Sequence, residues 1–320
     1  MIDMTRRELV VSAGAVSAVL GLGGPLTLFP SGVAQAATEK GFHAFKVGDV
    51  EIVTVLDGVW QRPLDEGFVR NAKIEQVWAA LEAGGYAPDT IPVSFTVTFA
   101  RTGGKTVMFD AGTGGQLAPT AGKLAANMAA AGIDPAKIDV VAMTHFHPDH
   151  VFGLMAAGSN AQVYPNAEII VPAAEYEWWT DAGVFARLPA DRHGLAKRLQ
   201  DTLPSWKNVR RVASDTEILP GIRSVAAYGH TAGHTVFQIA SGKEQLFVTA
   251  DAAHFPALFL KNPGWHVMFD SDPEAAMTTR KALFDRVVAE RALVTGYHFG
   301  MPGAGRIEAD GSGYTFVPLA

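Results

Sequence analysis

The chain predicts an α/β fold: one domain with two sheets' worth of strands. Three observations carry this. Short apolar, strand-like runs alternate with helical stretches. No Pro/Gly/Ser-rich linker separates them. Of 320 residues, 48% are apolar and 18% charged, enough to build a sizeable core and too few charges for a disordered chain.

The elements follow in order. Lys46-Val47-Gly48-Asp49-Val50 reads as a turn leading into a strand over 51–56. Phe95, Val97 and Phe99 alternate with Ser94, Thr96 and Thr98, the period of a half-buried strand. Thr102-Gly103-Gly104 turns that strand back into a hairpin partner over 106–109. The Ala-rich stretch 117–131 predicts a helix, with Gly132 as its C-cap. Residues 138–143 and 167–171 are short apolar runs bounded by turns, hence buried strands. Runs 237–240 and 246–249 flank Ser241-Gly242 as a hairpin. Asp272-Pro273-Glu274 starts a helix reaching about Glu290, with Pro at its first position, and 292–295 is a final strand.

Composition excludes several functions. Lys and Arg total 26 against 32 Asp and Glu, a net charge of −6, so there is no cationic field to hold a polyanion and nucleic acid is not an expected partner. The chain has no cysteine. Disulfides, thiolate metal sites, iron–sulfur clusters and cysteine nucleophiles are therefore all out. Any metal site must use His, Asp and Glu, and ten histidines are available.

Residues 1–36 read as an export address. Arg6-Arg7 precedes an uncharged stretch over 9–38 that contains Ala34-Gln35-Ala36, small residues where a signal peptidase reads. An arginine pair before a moderately apolar segment resembles a twin-arginine signal, which carries folded proteins. The expectation is a periplasmic or secreted protein without membrane association once the signal is removed. The alternative is a membrane anchor, although Gly21, Gly23, Gly24 and Pro25 interrupt the run.

The chemistry concentrates after the strand ending at Met143, in Thr144-His145-Phe146-His147-Pro148-Asp149-His150. Residues two apart in an extended segment point the same way, so His145 and His147 can share one cation. Pro148 presets a helix start and puts Asp149 and His150 on its first turn, where they can hold a second cation beside the first. Further candidates each follow a strand end: the two histidines of Gly229-His230-Thr231-Ala232-Gly233-His234-Thr235, then Asp251, then His298 in Gly296-Tyr297-His298-Phe299-Gly300. Strand ends are where α/β folds place ligand sites.

This series resembles the metallo-β-lactamase superfamily. The HxHxDH signature is matched in full by His145, His147, Asp149 and His150, and the later motifs by His234, Asp251 and His298 in order. The resemblance covers 37–320 as one catalytic domain and implies an αβ/βα four-layer sandwich with a dinuclear site. It implies that His145, His147 and His234 hold one metal, that Asp149, His150 and His298 hold the other, and that Asp251 bridges them. Asp110 matches an early strand-end Asp that orients the ligand loop. The implied cofactors are two divalent metal ions, zinc first, with Mn, Fe or Co as alternatives. Relatives are often dimers, so a homodimer is possible.

Details narrow the branch. The family's true β-lactamases lack a bridging Asp at the position of Asp251, the flavodiiron branch needs a flavin domain, and the nuclease branch needs basic elements. Ser271-Asp272, Phe299 to Gly303 and Gly311 to Pro318 resemble the methyl parathion hydrolase type, kin of N-acyl homoserine lactonases. The implied function is dinuclear hydrolysis of a neutral, apolar ester, lactone or phosphotriester, in which a hydroxide bridging two cations attacks a carbonyl or phosphoryl centre. Alternatives are a lactonase or arylesterase without phosphotriesterase activity, a mono-iron oxidoreductase, and a non-catalytic metal-binding protein.

Several residues carry two readings. The resemblance favours His234 over His230 as ligand, leaving His230 as a loop hydrogen-bonder. His254 stands where lactonase relatives carry a Tyr; it either donates to a developing oxyanion or makes a structural hydrogen bond. The proposed catalytic residues are thus Asp149, which can pass a proton to the leaving group, Asp251 and His254. Trp178, Trp179 and Phe185 either line the mouth or pack on the core. Phe255, Phe259 and Trp265 suggest an apolar pocket over the metals. Arg280, Lys281, Asp285, Arg286, Glu290 and Arg291 read as a solvated helix face.

Overall fold

The computed structural model describes residues 40–320. The stretch read as an export address, 1–36, lies outside the described residues. Among the described residues no helix is long and apolar enough to cross a membrane.

Two 7-stranded sheets form the centre. The first holds β1 (Phe42–Val47), β2 (Val50–Pro63), β3 (Thr90–Thr102), β4 (Lys105–Phe109), β5 (Val140–Ala142), β6 (Glu168–Pro172) and β7 (Val209–Val212), in chain order. Its pairs are antiparallel up to β4 and parallel from β4 to β7. The second holds β8 (Glu217–Leu219), β9 (Ile222–Ala226), β10 (Thr235–Ser241), β11 (Glu244–Ala250), β12 (Leu293–Gly296), β13 (Ala304–Asp310) and β14 (Gly313–Pro318), again in chain order. Only β11 and β12 pair in parallel there. The helices are α1 (Ile74–Ala83), α2 (Leu124–Ala130), α3 (Pro148–Val151), α4 (Ala173–Thr180), α5 (His193–Thr202), α6 (Pro256–Phe259) and α7 (Pro273–Glu290).

Side-chain parity explains the layering. Val107, Phe109, Val140 and Ala142 of the first sheet share a core with Phe237, Ile239, Leu246 and Val248 of the second, and the Phe109 and Phe237 rings lie 5.2 Å apart. The residues between them, Met108, Val141 and Phe247, belong to the other core with Leu124 and Met128 of α2, Trp179 of α4 and Phe284 and Val287 of α7. Successive residues of a strand face opposite ways, so strands apolar on both faces demand helices outside as well as a sheet inside. The result is the four-layer sandwich.

Two boundaries depart from the expectation. The helix expected over 117–131 begins only at Leu124. The buried Asp57 carboxylate accepts the N–H groups of Thr113, Gly122 and Leu124, and Gly122 sits at φ +91°, so the preceding stretch winds around Asp57 as a loop. β2 also runs on to Pro63 past a register shift between Leu56 and Gly58. α7 starts as read: the Asp272 side chain accepts the Ala275 N–H at 3.0 Å, with Pro273 in the first turn.

Candidate metal centre

The strand ends deliver the candidate residues to one place. Asp110 follows β4 with φ +62°, and Ala250 ends β11 with φ +43°, left-handed conformations that non-glycine residues adopt at a cost when a site demands it. At Ala250 a bulge against β12 turns Asp251 inward.

Tautomers follow from the partners, because carboxylates and carbonyls only accept. His150 Nδ1 donates to Asp110 Oδ2 at 2.8 Å, His298 Nδ1 to the Ser94 carbonyl at 2.7 Å, and His230 Nδ1 to Asp270 Oδ1 at 2.9 Å. The Thr144 hydroxyl donates to Asp110 Oδ2 and so accepts from His145 Nδ1 at 2.9 Å. In all four the Nδ1 is thus taken and the Nε2 is turned toward a common centre, where His230 Nε2 also meets His147 Nδ1 at 2.8 Å. Asp110 also accepts the Thr144 N–H, and so orients the motif loop as the resemblance implied.

Asp251 sits at that centre. Its Oδ1 lies 3.1 Å from His150 Nε2, and its Oδ2 lies 3.2 Å from His230 Nε2, 3.3 Å from His298 Nε2 and 3.8 Å from His145 Nε2. Four overlapping groups lie close enough to hold a cation: His145, His147, His230 and Asp251; Asp149, His150 and His298; His230, His254 and Asp270; and Asp251, His254 and His298. The first two share no residue and together supply seven ligands, so they are the pair that can be filled at once. The donor set fits two such ions. His145 Nε2, His150 Nε2 and Asp251 Oδ1 are buried without a hydrogen-bond partner, a cost of about 1–3 kcal/mol each when left so, and an imidazole and carboxylate set of this kind suits zinc and its neighbours.

The cluster holds His230 where His234 was expected. His234 is tied to the fold instead: its Nδ1 donates to the Ala227 carbonyl at 2.9 Å and its Nε2 accepts the Asp251 N–H at 3.2 Å, and its ring belongs to none of the groups close enough to hold a cation. Burial, then repulsion by His230, lowers its pKa to about 3. Gly229 and Gly233 allow this loop path: a Cβ on Gly229 would meet Ala276 N at 2.1 Å and one on Gly233 would meet Glu175 N at 2.0 Å.

Electrostatics divide the histidines. Burial and the positive charge of neighbouring histidines hold His145 and His147 well below the ordinary imidazole range. Burial opposes charge on His150 too, but the carboxylates of Asp251, Asp149 and Asp110 outweigh it and hold His150 well above that range. His254 Nε2 approaches Asp251 Oδ2 at 3.2 Å, and burial lowers its pKa to about 4. Its Nε2–H thus meets the carboxylate while the ring lines the cavity beside the cluster. Asp149 is the most open carboxylate of the cluster, 15% exposed, and faces a cavity of about 270 Å³.

That cavity is lined by Trp60, Val93, Phe95, Leu117, Leu195 and Phe269 beside the cluster residues. The apolar mouth is therefore built from other residues than those expected: Phe255 and Phe259 are core residues and Trp265 packs against the core half-buried. Trp179 is buried as well, while Trp178 lines a neighbouring cavity. His193 and His266 lie outside the cluster.

Three supporting residues gave no motif signal. Glu175, fully buried, accepts from Phe146 N, Trp179 Nε1, Thr231 Oγ1 and Gly233 N, tying the motif loop to the His230 loop. Asp270 accepts from His230 and pairs with Arg280 Nη2 at 3.3 Å. Arg280, read as part of a solvated face, is fully buried; it donates to the carbonyls of Ala252, Pro263 and Trp265 and so pins the segment after Asp251 to α7. Replacing Glu175 by Ala is expected to cost about 3–5 kcal/mol, because four buried donors lose their acceptor. Urea unfolding of the metal-free protein checks this, and a loss below about 1 kcal/mol would contradict the tying role.

A model of the metallo-beta-lactamase superfamily matches residues 92–294. The chain belongs to that superfamily. Within it, the chain is similar to an N-acyl homoserine lactonase from Bacillus sp, 29% identical over 164 residues, 51% of this chain and 56% of that protein. It is also similar to N-acyl homoserine lactonase AttM of Rhizobium johnstonii, 30% identical over 134 residues, 39% of this chain and 45% of that protein. The chain thus spans about half the length of the curated relatives it matches. Among solved structures of the fold, AidC, a dizinc quorum-quenching lactonase in complex with a product, superposes with TM-score 0.82 at 24% identity, covering 88% of this chain and 98% of that one. Hydrolase AbOPH superposes with TM-score 0.80 at 23% identity and the same coverage.

Proposed function

We propose that this superfamily member is a dinuclear metal-dependent hydrolase of neutral, apolar lactones and carboxylic esters. The observation that carries the reading is the set of partnerless buried atoms His145 Nε2, His150 Nε2 and Asp251 Oδ1 beneath an apolar cavity. The lactonase relatives support the substrate class. Two divalent cations, zinc first, would supply an acidified water and polarise the electrophilic oxygen. His145, His147, His230 and Asp251 would hold one; Asp149, His150 and His298 would hold the other, with Asp251 reaching both.

The rest falls to the chain. Trp60, Val93, Phe95 and Phe269 exclude water and hold an acyl chain. Asp149 opens to the cavity, and although burial works against its charge, His150 and His298 hold its pKa down; it is ionised at neutral pH and can carry a proton to the leaving group. Asp110, Asp270 and Ser94 fix the imidazole orientations.

The test is a panel of N-hexanoyl homoserine lactone, p-nitrophenyl butyrate and paraoxon on the zinc-loaded protein, with and without a chelator. Lactone or ester turnover that the chelator abolishes is expected. Turnover of paraoxon alone would move the assignment to phosphotriesters, and no turnover in any arm would sink the hydrolase reading.

A further inference from the structure

A second cavity, of about 510 Å³, opens beside the first. The two share Arg192 and Phe269 as a wall, and Arg192 Nη1 lies 2.8 Å from His147 Nε2, so the second compartment begins where the metal cluster ends. Three arginines line it: Arg70, Arg187 and Arg192. In a chain of net charge −6 this is a local excess of cations on a concave wall.

Hydrogen-bond accounting shows which charges are free to meet a ligand. Each guanidinium carries five N–H donors. Arg70 commits two groups, to the carbonyls of Asp270 and Met268. Arg187 commits one, to Asp181 at 3.3 Å, and Arg192 commits one to His147. The two carboxylates on the same wall are already engaged: Asp270 by His230 and Arg280, Asp272 by the Ala275 N–H at the start of α7. Donors are left over on all three guanidiniums, while on the acceptor side Asp270 is paired through both oxygens and Asp272 keeps one. Trp178, Leu188 and Met268 give the compartment an apolar lining, and the Arg187 guanidinium lies over the Trp178 ring at 5.6 Å.

We propose that this compartment is a binding site for a carboxylate carried on an alkyl or acyl chain, the carboxylate at the arginines and the chain against Trp178, Leu188 and Met268. The guanidinium fork matches a planar carboxylate in two-point contact. The inference deepens the hydrolase reading and rests on it for the source of the ligand: opening an ester or lactone in the first cavity makes one carboxylate per turnover, next to the shared wall. The compartment receives that product and clears the metal cluster for the next substrate.

The experiment is calorimetric titration of hexanoate into the metal-free, chelator-treated protein. Running it without metal removes coordination of the carboxylate by the cations and makes the result independent of whether the protein hydrolyses anything, while an arginine variant separates the compartment from the histidine cluster. Saturable binding that weakens with added salt is expected, with hexanol binding far less. The R70Q/R187Q variant should lose about a hundredfold in affinity, roughly tenfold per arginine, while its melting temperature and metal content stay at the wild-type values. Should that pair melt early, R187Q alone carries the test, since Arg187 is exposed. Equal hexanoate affinity in wild type and variant, absence of saturable binding, or tighter binding of dimethyl phosphate than of hexanoate would each overturn the proposal.

Discussion

Asp251→Ala is expected to strip both cations from the purified protein and to lower ester and lactone turnover by on the order of a thousandfold or more. Asp251 is the carboxylate that reaches both ligand groups, with oxygens 3.1–3.3 Å from the Nε2 atoms of His150, His230 and His298. Without it, five imidazoles converge with Asp149 as the one cluster carboxylate left to offset two divalent charges. The substitution leaves the fold standing, since the contact that anchors His234 uses the backbone N–H of Asp251. Asp251→Asn separates charge from shape: it keeps the volume and one acceptor oxygen, and should retain less than a full complement of metal with a rate down about a hundredfold. Emission spectrometry of the gel-filtered protein and p-nitrophenyl butyrate assays read both variants. Two cations per chain and a near wild-type rate in the alanine variant would remove Asp251 from the bridging position.

The legible and illegible parts of this site differ for a physical reason. His145, His147, Asp149 and His150 could be placed because a strand end and a proline set their directions locally. The alternation of Phe95, Val97 and Phe99 with Ser94, Thr96 and Thr98 made β3 legible as a strand, but not as one buried on both faces, which it is. What failed depended on contacts from far along the chain. Gly229-His230-Thr231 and Gly233-His234-Thr235 repeat the same three residues, and distant partners decide their places: the Asp251 N–H and the Ala227 carbonyl hold His234, while Asp270 turns His230 toward Asp251. Arg280 sits among exposed charges on α7 and reads as one of them, yet its partners, Ala252, Pro263, Trp265 and Asp270, come from the segment after β11. Glu175 is likewise one acid on a short helix until the loops of Phe146 and Gly233 close over it. The late start of α2 has the same origin, since the carboxylate that unwinds the residues before it belongs to β2.

The choice between the two histidines of that loop gives the second large effect. His230→Ala should release one cation and lower turnover by about a hundredfold or more, because a ring that meets Asp251 and His147 at 3.2 and 2.8 Å is removed from the cluster. His234→Asn should keep both cations and most of the rate while losing about 1–3 kcal/mol of stability at pH 7, the cost of disturbing two buried hydrogen bonds. The acid response separates the two roles further. His234 is neutral in the folded protein down to about pH 3, whereas in the unfolded chain it takes a proton near its ordinary value of 6.5. Its burial is therefore without protonation cost above that value, and stability drains as the pH falls from there toward 3, at about 1.4 kcal/mol per unit. Between pH 7 and 5 this one residue accounts for about 2 kcal/mol, and His234→Asn should flatten that part of the profile in urea unfolding of the chelated protein. If His234→Asn instead empties the site while His230→Ala keeps two cations and full turnover, the ligand assignment reverts to His234.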